Sequence, residues 1–214
     1  MQQTEESSSF KIMETELGIL APAGHFYFIN RKQIEEYTPG LLAKVSLTQL
    51  LKASQAWLHS NTAISLLIYA LCIFFELDPL LSVPISLVGY SIWYFKKTIF
   101  IHPSLIWLAR ILSSNIVIYA SAGVFFSYLG MNEYYISLAS GVGLFFFVKP
   151  PLFKYVLATI QAKRAGGKFI SEEDRVLNAI LIRYAFAEGI MTSKVQEMED
   201  RLFELIHYNR NRRK

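Results

Sequence analysis

The chain has 214 residues, 53% of them hydrophobic and 18% charged, with a net charge of +4. This is more apolar and less charged than an ordinary soluble chain, which argues against a disordered polypeptide, a coiled coil or a secreted disulfide scaffold. The single cysteine, Cys72, excludes an intrachain disulfide.

Residues 1–10 (M-Q-Q-T-E-E-S-S-S-F) are polar and read as a disordered start. Residues 24–30 (G-H-F-Y-F-I-N) suit a short strand or an interfacial anchor, because aromatic rings favour the headgroup level of a bilayer. Thr38-Pro39-Gly40 then opens a helix over 40–59. Leu47, Leu50, Leu51, Ser54 and Leu58 fall on one face, with Lys44, Lys52 and Gln55 elsewhere. That helix either lies on a membrane, leads into the next segment, or packs on other parts of the chain. The first sixty residues are not basic then apolar, so no cleavable signal peptide is expected.

Four apolar runs follow, over 62–77, 80–95, 111–129 and 134–148. A spanning helix needs about 20 apolar residues, with about 17 near the lower limit, so the third run is comfortable and the others are short. Glu76-Leu77-Asp78-Pro79 turns the first pair, with Asp78 capping the second helix and Pro79 at its first position. Gly130-Met131-Asn132 turns the second pair. Between the pairs, residues 96–110 form an interfacial segment broken at Pro103. Arg110 belongs at the boundary, because a charge at the bilayer centre costs roughly 2.5–3.5 kcal/mol on insertion scales.

The basic residues divide unevenly. Five precede the first run, three lie between the pairs, and thirteen follow the fourth run, which accounts for all 21 Lys and Arg. The two tight turns carry only acids. The expected fold is therefore an all-α integral membrane protein of two transmembrane hairpins, four spans, with both termini cytoplasmic by the positive-inside rule. Its expected divisions are a cytoplasmic region over 1–59, a membrane domain over 60–150 and a cytoplasmic helical module over 151–214. The same charge pattern suits hairpins that enter one leaflet and return. Over Leu66–Phe95 and Ile111–Val148, the Leu77-Asp78-Pro79 turn and the 16-residue arm after it resemble in outline the paired hairpins of reticulon-type proteins, whose arms are usually longer, and that resemblance implies membrane shaping.

After Pro150-Pro151, residues 152–164 read as an amphipathic helix and Ala165-Gly166-Gly167 as a hinge. Ser171-Glu172-Glu173-Asp174 starts a helix, with a capping hydroxyl and acids in the first turn. Val176, Leu177, Ile180, Leu181 and Tyr184 form its apolar stripe. Ser193-Lys194-Val195-Gln196 has the capping-box pattern for a second helix, striped by Val195, Met198, Leu202, Leu205 and Ile206. Two helices alone rarely bury enough to be stable, so these stripes need a further cover. Val176, Ile180, Tyr184, Met198, Leu202 and Ile206 are the expected partner-facing set. The step Ala185-Phe186-Ala187-Glu188-Gly189 resembles the helix–turn step of TerB-like helical domains. The acid those domains carry six residues past the glycine is Val195 in this chain.

Catalytic constellations are missing from the sequence. The histidines, His25, His59, His102 and His207, lack partners at metal-binding spacing, and there is no nucleophile elbow or phosphate-binding glycine loop. No catalytic, cofactor or metal residues are expected. Within the spans the polar residues are small. Ser137-x-x-x-Gly141 and Ala139-x-x-x-Gly143 let helix backbones approach, within the chain or in a homo-oligomer. Arg210, Arg212, Arg213 and Lys214 suit anionic lipid headgroups, whereas nucleic acid is not an expected partner. The resulting expectation is a non-enzymatic membrane anchor or accessory subunit, with the bilayer and other protein subunits as partners. The alternatives are a small oligomeric pore lined by serines and Asn115, or a membrane-shaping protein.

Overall fold

The computed structural model describes residues 12–117, 131–148, 151–191 and 194–213. The chain is predominantly helical, as expected, but not all-α. Three short strands, β1 (Met13–Thr15), β2 (Gly18–Leu20) and β3 (Phe26–Tyr27), form an antiparallel sheet in chain order. Ile19 and Leu20 pair with Tyr27 and Phe26, so the aromatic segment over 24–30 contributes a strand. Gly18 is required at its position. A Cβ there would stand 2.0 Å from the Tyr27 carbonyl oxygen.

Helix α1 (Arg31–Tyr37) begins with a reciprocal capping box, Asn30 accepting from the Gln33 amide while the Gln33 side chain accepts from the Asn30 amide. After α2 (Leu41–Lys44), α3 runs unbroken from Leu47 to Phe74. It ends with Glu76 in the left-handed region (φ 59°) and the Leu77 amide donating to the Cys72 carbonyl at 3.0 Å. Asp78 then caps α4 (Pro79–Phe100), its carboxylate accepting from the Leu80 and Leu81 amides at 2.8 and 3.2 Å, as the sequence predicts. A 3-10 turn at Pro103–Leu105 leads to α5 (Ile106–Leu112). The remaining helices are α6 (Met131–Val148), α7 (Pro151–Arg164), α8 (Glu172–Ala187) and α9 (Val195–Arg212). Helix α6 already includes Met131 and Asn132, which the sequence assigns to a turn.

Among the described residues one helix, α3, is long and apolar enough to cross a membrane. A second candidate exists only if Tyr134–Val148 and Phe153–Arg164, bent by 47°, count as one span. Four spans are not shown. The serines, tyrosines and lysines of α4 dilute its apolar residues, Tyr134–Val148 qualifies only together with Phe153–Arg164, and most of the expected third span lies outside the described residues.

The chain divides into two compact units. The first joins Met1–Gln55 and Ile101–Pro103 to Lys168–Lys214, so its sheet, α1, α2 and the start of α3 share one body with α8 and α9. Its buried apolar residues include Ile19, Tyr27, Ile34, Leu50, Leu177 and Leu202. The second comprises Ala56–Phe100 and Ser104–Gly167. Its core packs Tyr69 and Ile73 of α3 with Tyr90 and Tyr94 of α4, Leu144 and Val148 of α6, and Leu157 of α7.

Candidate functional site

The first unit is held by a polar junction centred on the backbone of Phe28, just after β3. The Phe28 amide donates to the Asp174 carboxylate of α8 at 2.8 Å, and the Phe28 carbonyl accepts from the Asn209 side chain of α9 at 3.0 Å. One residue of the N-terminal segment is thus gripped by both helices of the C-terminal pair. Asn209 also donates to Gln33 Oε1 at 3.0 Å, which extends the capping box of α1 into the junction.

Local sequence positions each part. Ser171 caps α8, its hydroxyl accepting from the Asp174 amide at 3.1 Å and donating to the Asp174 carboxylate at 2.7 Å. This turn therefore places Asp174 inside, with none of its surface exposed. Burial pushes its carboxyl up to about 7; the Ser171 and Phe28 hydrogen bonds oppose this, the neighbouring Glu173 adds to it, and Arg210 opposes it. Burial also raises Glu173, but the hydrogen bond from His25, at 3.5 Å, and its own backbone amide prevail and hold it below the usual carboxylate range.

Cations flank the junction through rings. The Arg210 guanidinium sits 4.2 Å over the Phe169 ring and 5.8 Å from that of Phe28, and Arg213 lies 4.6 Å over Phe26. Burial lowers the Arg210 guanidinium, against the opposing pull of Asp174 and Glu173. Further ties run between the same segments. Tyr27 donates its buried hydroxyl to Ser54 at 3.1 Å, and Lys44 donates to the Glu188 carbonyl at the end of α8 at 2.7 Å.

The residues expected to face a partner are mostly covered by the chain itself. Val176, Ile180, Met198, Leu202 and Ile206 are buried, and Tyr184 is half-buried. Between Val176 and Ile182 every residue of α8 is buried, because α9 and β3 both pack on it. Of the residues expected at lipid headgroups, Arg210 and Arg213 engage the rings above and Arg212 lies 5.9 Å from the Tyr208 ring, while Lys214 lies outside the described residues. Helix α9 starts at Val195 with Lys194 as its cap and no side-chain capping bond, and Ser193 lies outside the described residues. Sequence reasoning missed Asn209, Gln33 and the inward aim of Asp174. The readable signal was N-x-x-Q at Asn30–Gln33.

In the second unit the polarity of α4 is turned inside out. Ser82, Ser86, Tyr90, Tyr94 and Lys97 are buried along one side, while Leu81, Ile85, Val88, Ile92 and Ile99 are exposed on the other. At 100° per residue these two sets lie on opposite faces. The serine hydroxyls bond back to their own helix, Ser82 to the Asp78 carbonyl at 2.9 Å and Ser86 to the Ser82 carbonyl at 2.7 Å. Trp93 donates to Ser60 at 3.2 Å and Lys97 to Asn61 at 2.7 Å, both acceptors being on α3. On α6, Ser137 is buried and its carbonyl accepts from Tyr69 at 3.1 Å. Gly141 is half-buried, whereas Ala139 and Gly143 are exposed. The first small-residue pair therefore packs within the chain and the second does not. At Gly89 of α4 a Cβ would stand 2.3 Å from Ile68 Cδ1 of α3, so the two helices approach closely there.

Among the described residues no group of three or more His, Cys, Asp or Glu is placed to hold a metal ion. Comparison with protein-family models, curated proteins and solved structures found no match.

Proposed function

We propose that this is a multi-pass membrane protein whose lipid-facing section anchors a folded module built from both ends of the chain, and that it serves as an anchor or accessory subunit rather than a catalyst. The observation that carries this reading is the reversal of α4, aliphatic outward and hydroxyl-bearing inward. In water such a helix turns over, because apolar surface is worth roughly 25 cal/mol per Å² buried. In lipid the arrangement is the favoured one, since inward hydroxyls find partners and outward aliphatics need none. The same bias extends beyond α4. Among the described residues, the large exposed apolar side chains outside the second unit are Met13 and Tyr208 alone.

Shared construction of the first unit supports a topology. The chain leaves this unit after Gln55, belongs to it again over Ile101–Pro103, and rejoins it at Lys168. Crossings between those points are then even in number, which agrees with four spans and two cytoplasmic ends. Back-bonded serines favour an anchor over a serine-lined pore.

Two measurements test the proposal. The full chain should stay with membranes through alkaline carbonate extraction, and single cysteines at Glu36 and Arg201, in a Cys72→Ser background, should be labelled from the same face. Release by carbonate, or labelling from opposite faces, overturns it. The accessory role requires that a membrane protein co-purify stoichiometrically in mild detergent and fall in abundance when this chain is deleted.

A further inference from the structure

We propose that Asp174 is a proton-controlled latch between the two ends of the chain, holding α8 on Phe28 when its carboxyl is protonated and loosening that junction when it ionises. The inference concerns the terminal module alone and stands whether or not residues 56–167 lie in lipid.

The geometry is that of a carboxyl group kept from water at a long-range joint. Asp174 has no exposed surface, and its oxygens take bonds from the Phe28 amide and the Ser171 hydroxyl, both neutral donors. Phe28 and Asp174 are 146 positions apart, so this bond exists only while the N- and C-terminal segments are docked. Charged and titratable groups face it from each neighbouring element. Glu173 lies beside it on α8 and is itself paired with His25 from the connection into β3. Arg210 comes from α9 and is drawn over the Phe169 ring. The Tyr27 phenol comes from β3, bonded to Ser54 and raised by burial. The cation is offset by Glu173, and burial of the charge dominates.

The direction of the effect follows from the midpoint near 7 in the folded protein, against an ordinary value of 3.8. An acid raised by folding contributes stability that is fully present below the unfolded midpoint and is lost as pH rises through the folded one. Docking therefore weakens from about pH 4 to about pH 7 and levels off above that. At pH 5.5 the protonated carboxyl is therefore the major form, and at pH 8.5 the ionised one is.

Hydrogen exchange of the full chain in detergent, read by mass spectrometry at pH 5.5 and 8.5 and corrected for intrinsic exchange rate, tests this. Protection of the peptide covering 26–34 should fall by roughly tenfold or more, and peptides of α4 should not change with it. Asp174→Asn keeps an acceptor for the Phe28 amide and should flatten the profile. His25→Gln should retain the wild-type slope, and Glu173→Gln, which removes a charge that raises Asp174, should make it shallower without abolishing it. A flat wild-type profile overturns the latch. So does an Asp174→Asn slope equal to wild type, or a His25→Gln variant that alone removes the slope. Should Asp174→Asn fail to fold, the wild-type and His25→Gln profiles decide on the same criteria.

Discussion

The Phe28 amide and the Asp174 carboxylate meet at 2.8 Å across 146 positions of sequence. A bond of that kind cannot form until the intervening chain has returned to its start. Burial of α8 on every face from Val176 to Ile182 has the same implication, since α9 covers only one side. The C-terminal helical pair and the N-terminal sheet therefore fold as one body. Deletion of residues 168–214 should leave residues 12–55 open to limited proteolysis within the sheet and α1, while α4 stays resistant in detergent. A truncated chain whose N-terminal segment resists protease as the full chain does would show that the two ends fold separately.

Reversed polarity in α4 gives the sharpest contrast between lipid and water. Val88 and Ile92 are 59% and 61% exposed. In a water-facing helix, lysine at either position is nearly neutral for stability and improves solubility. Facing lipid near the middle of a helix, the same change costs roughly 2.5–3.5 kcal/mol on insertion scales. Val88→Lys and Ile92→Lys should both cut membrane insertion of the full chain, measured by carbonate-resistant yield. Undiminished yield in both variants would place this face in water.

Local rules were legible in the sequence and long-range ones were not. The cap at Ser171, the Asp78-Pro79 start of α4 and the break at Pro103 each depend on residues within four positions, and each is present. The stripes of α8 and α9 were also readable, together with their need for a further cover. What supplies that cover is the N-terminal segment, and no periodicity states which distant segment will dock. Asp174 shows the difficulty well. An acid in the first turn of a helix reads as a dipole partner facing water, and only the approach of Phe28 makes it an interior group. Apolar content in α4 was legible too, but nothing local in the sequence marked Ser82, Ser86, Tyr90 and Tyr94 as its inward face.

Two glycines should respond oppositely to alanine. At Gly18 the added methyl meets the Tyr27 carbonyl oxygen at 2.0 Å, and that oxygen belongs to the paired strand, so the hairpin must open. Overpacking of this kind typically costs about 1–3 kcal/mol, and strand displacement puts Gly18→Ala at the upper end. At Gly143 nothing lies within 4 Å of the new Cβ, and the backbone is helical. Gly143→Ala should be neutral or stabilising by up to about 1 kcal/mol, because it reduces the freedom lost on helix formation. Thermal unfolding of both variants in one detergent tests the pair; equal losses would contradict the placement of Gly143 on an open face.

Among the terminal arginines the structure predicts unequal roles. Arg210 is half-buried over Phe169, whereas Arg212 is exposed and lies 5.9 Å from the Tyr208 ring. A desolvated cation over an aromatic face is worth up to about 2 kcal/mol, and an exposed one about 0.5–1. Arg210→Gln should therefore lower the unfolding temperature of the terminal module more than Arg212→Gln does. It should also deepen the pH dependence, because Arg210 is the cation that opposes the upward shift of Asp174. Binding to anionic vesicles should divide the other way, with Arg212→Gln losing affinity and Arg210→Gln largely keeping it, since a guanidinium held over a ring inside the module is not offered to a headgroup. Equal loss of vesicle binding in both variants would mean that α9 frays at its end and presents all of its arginines to the surface.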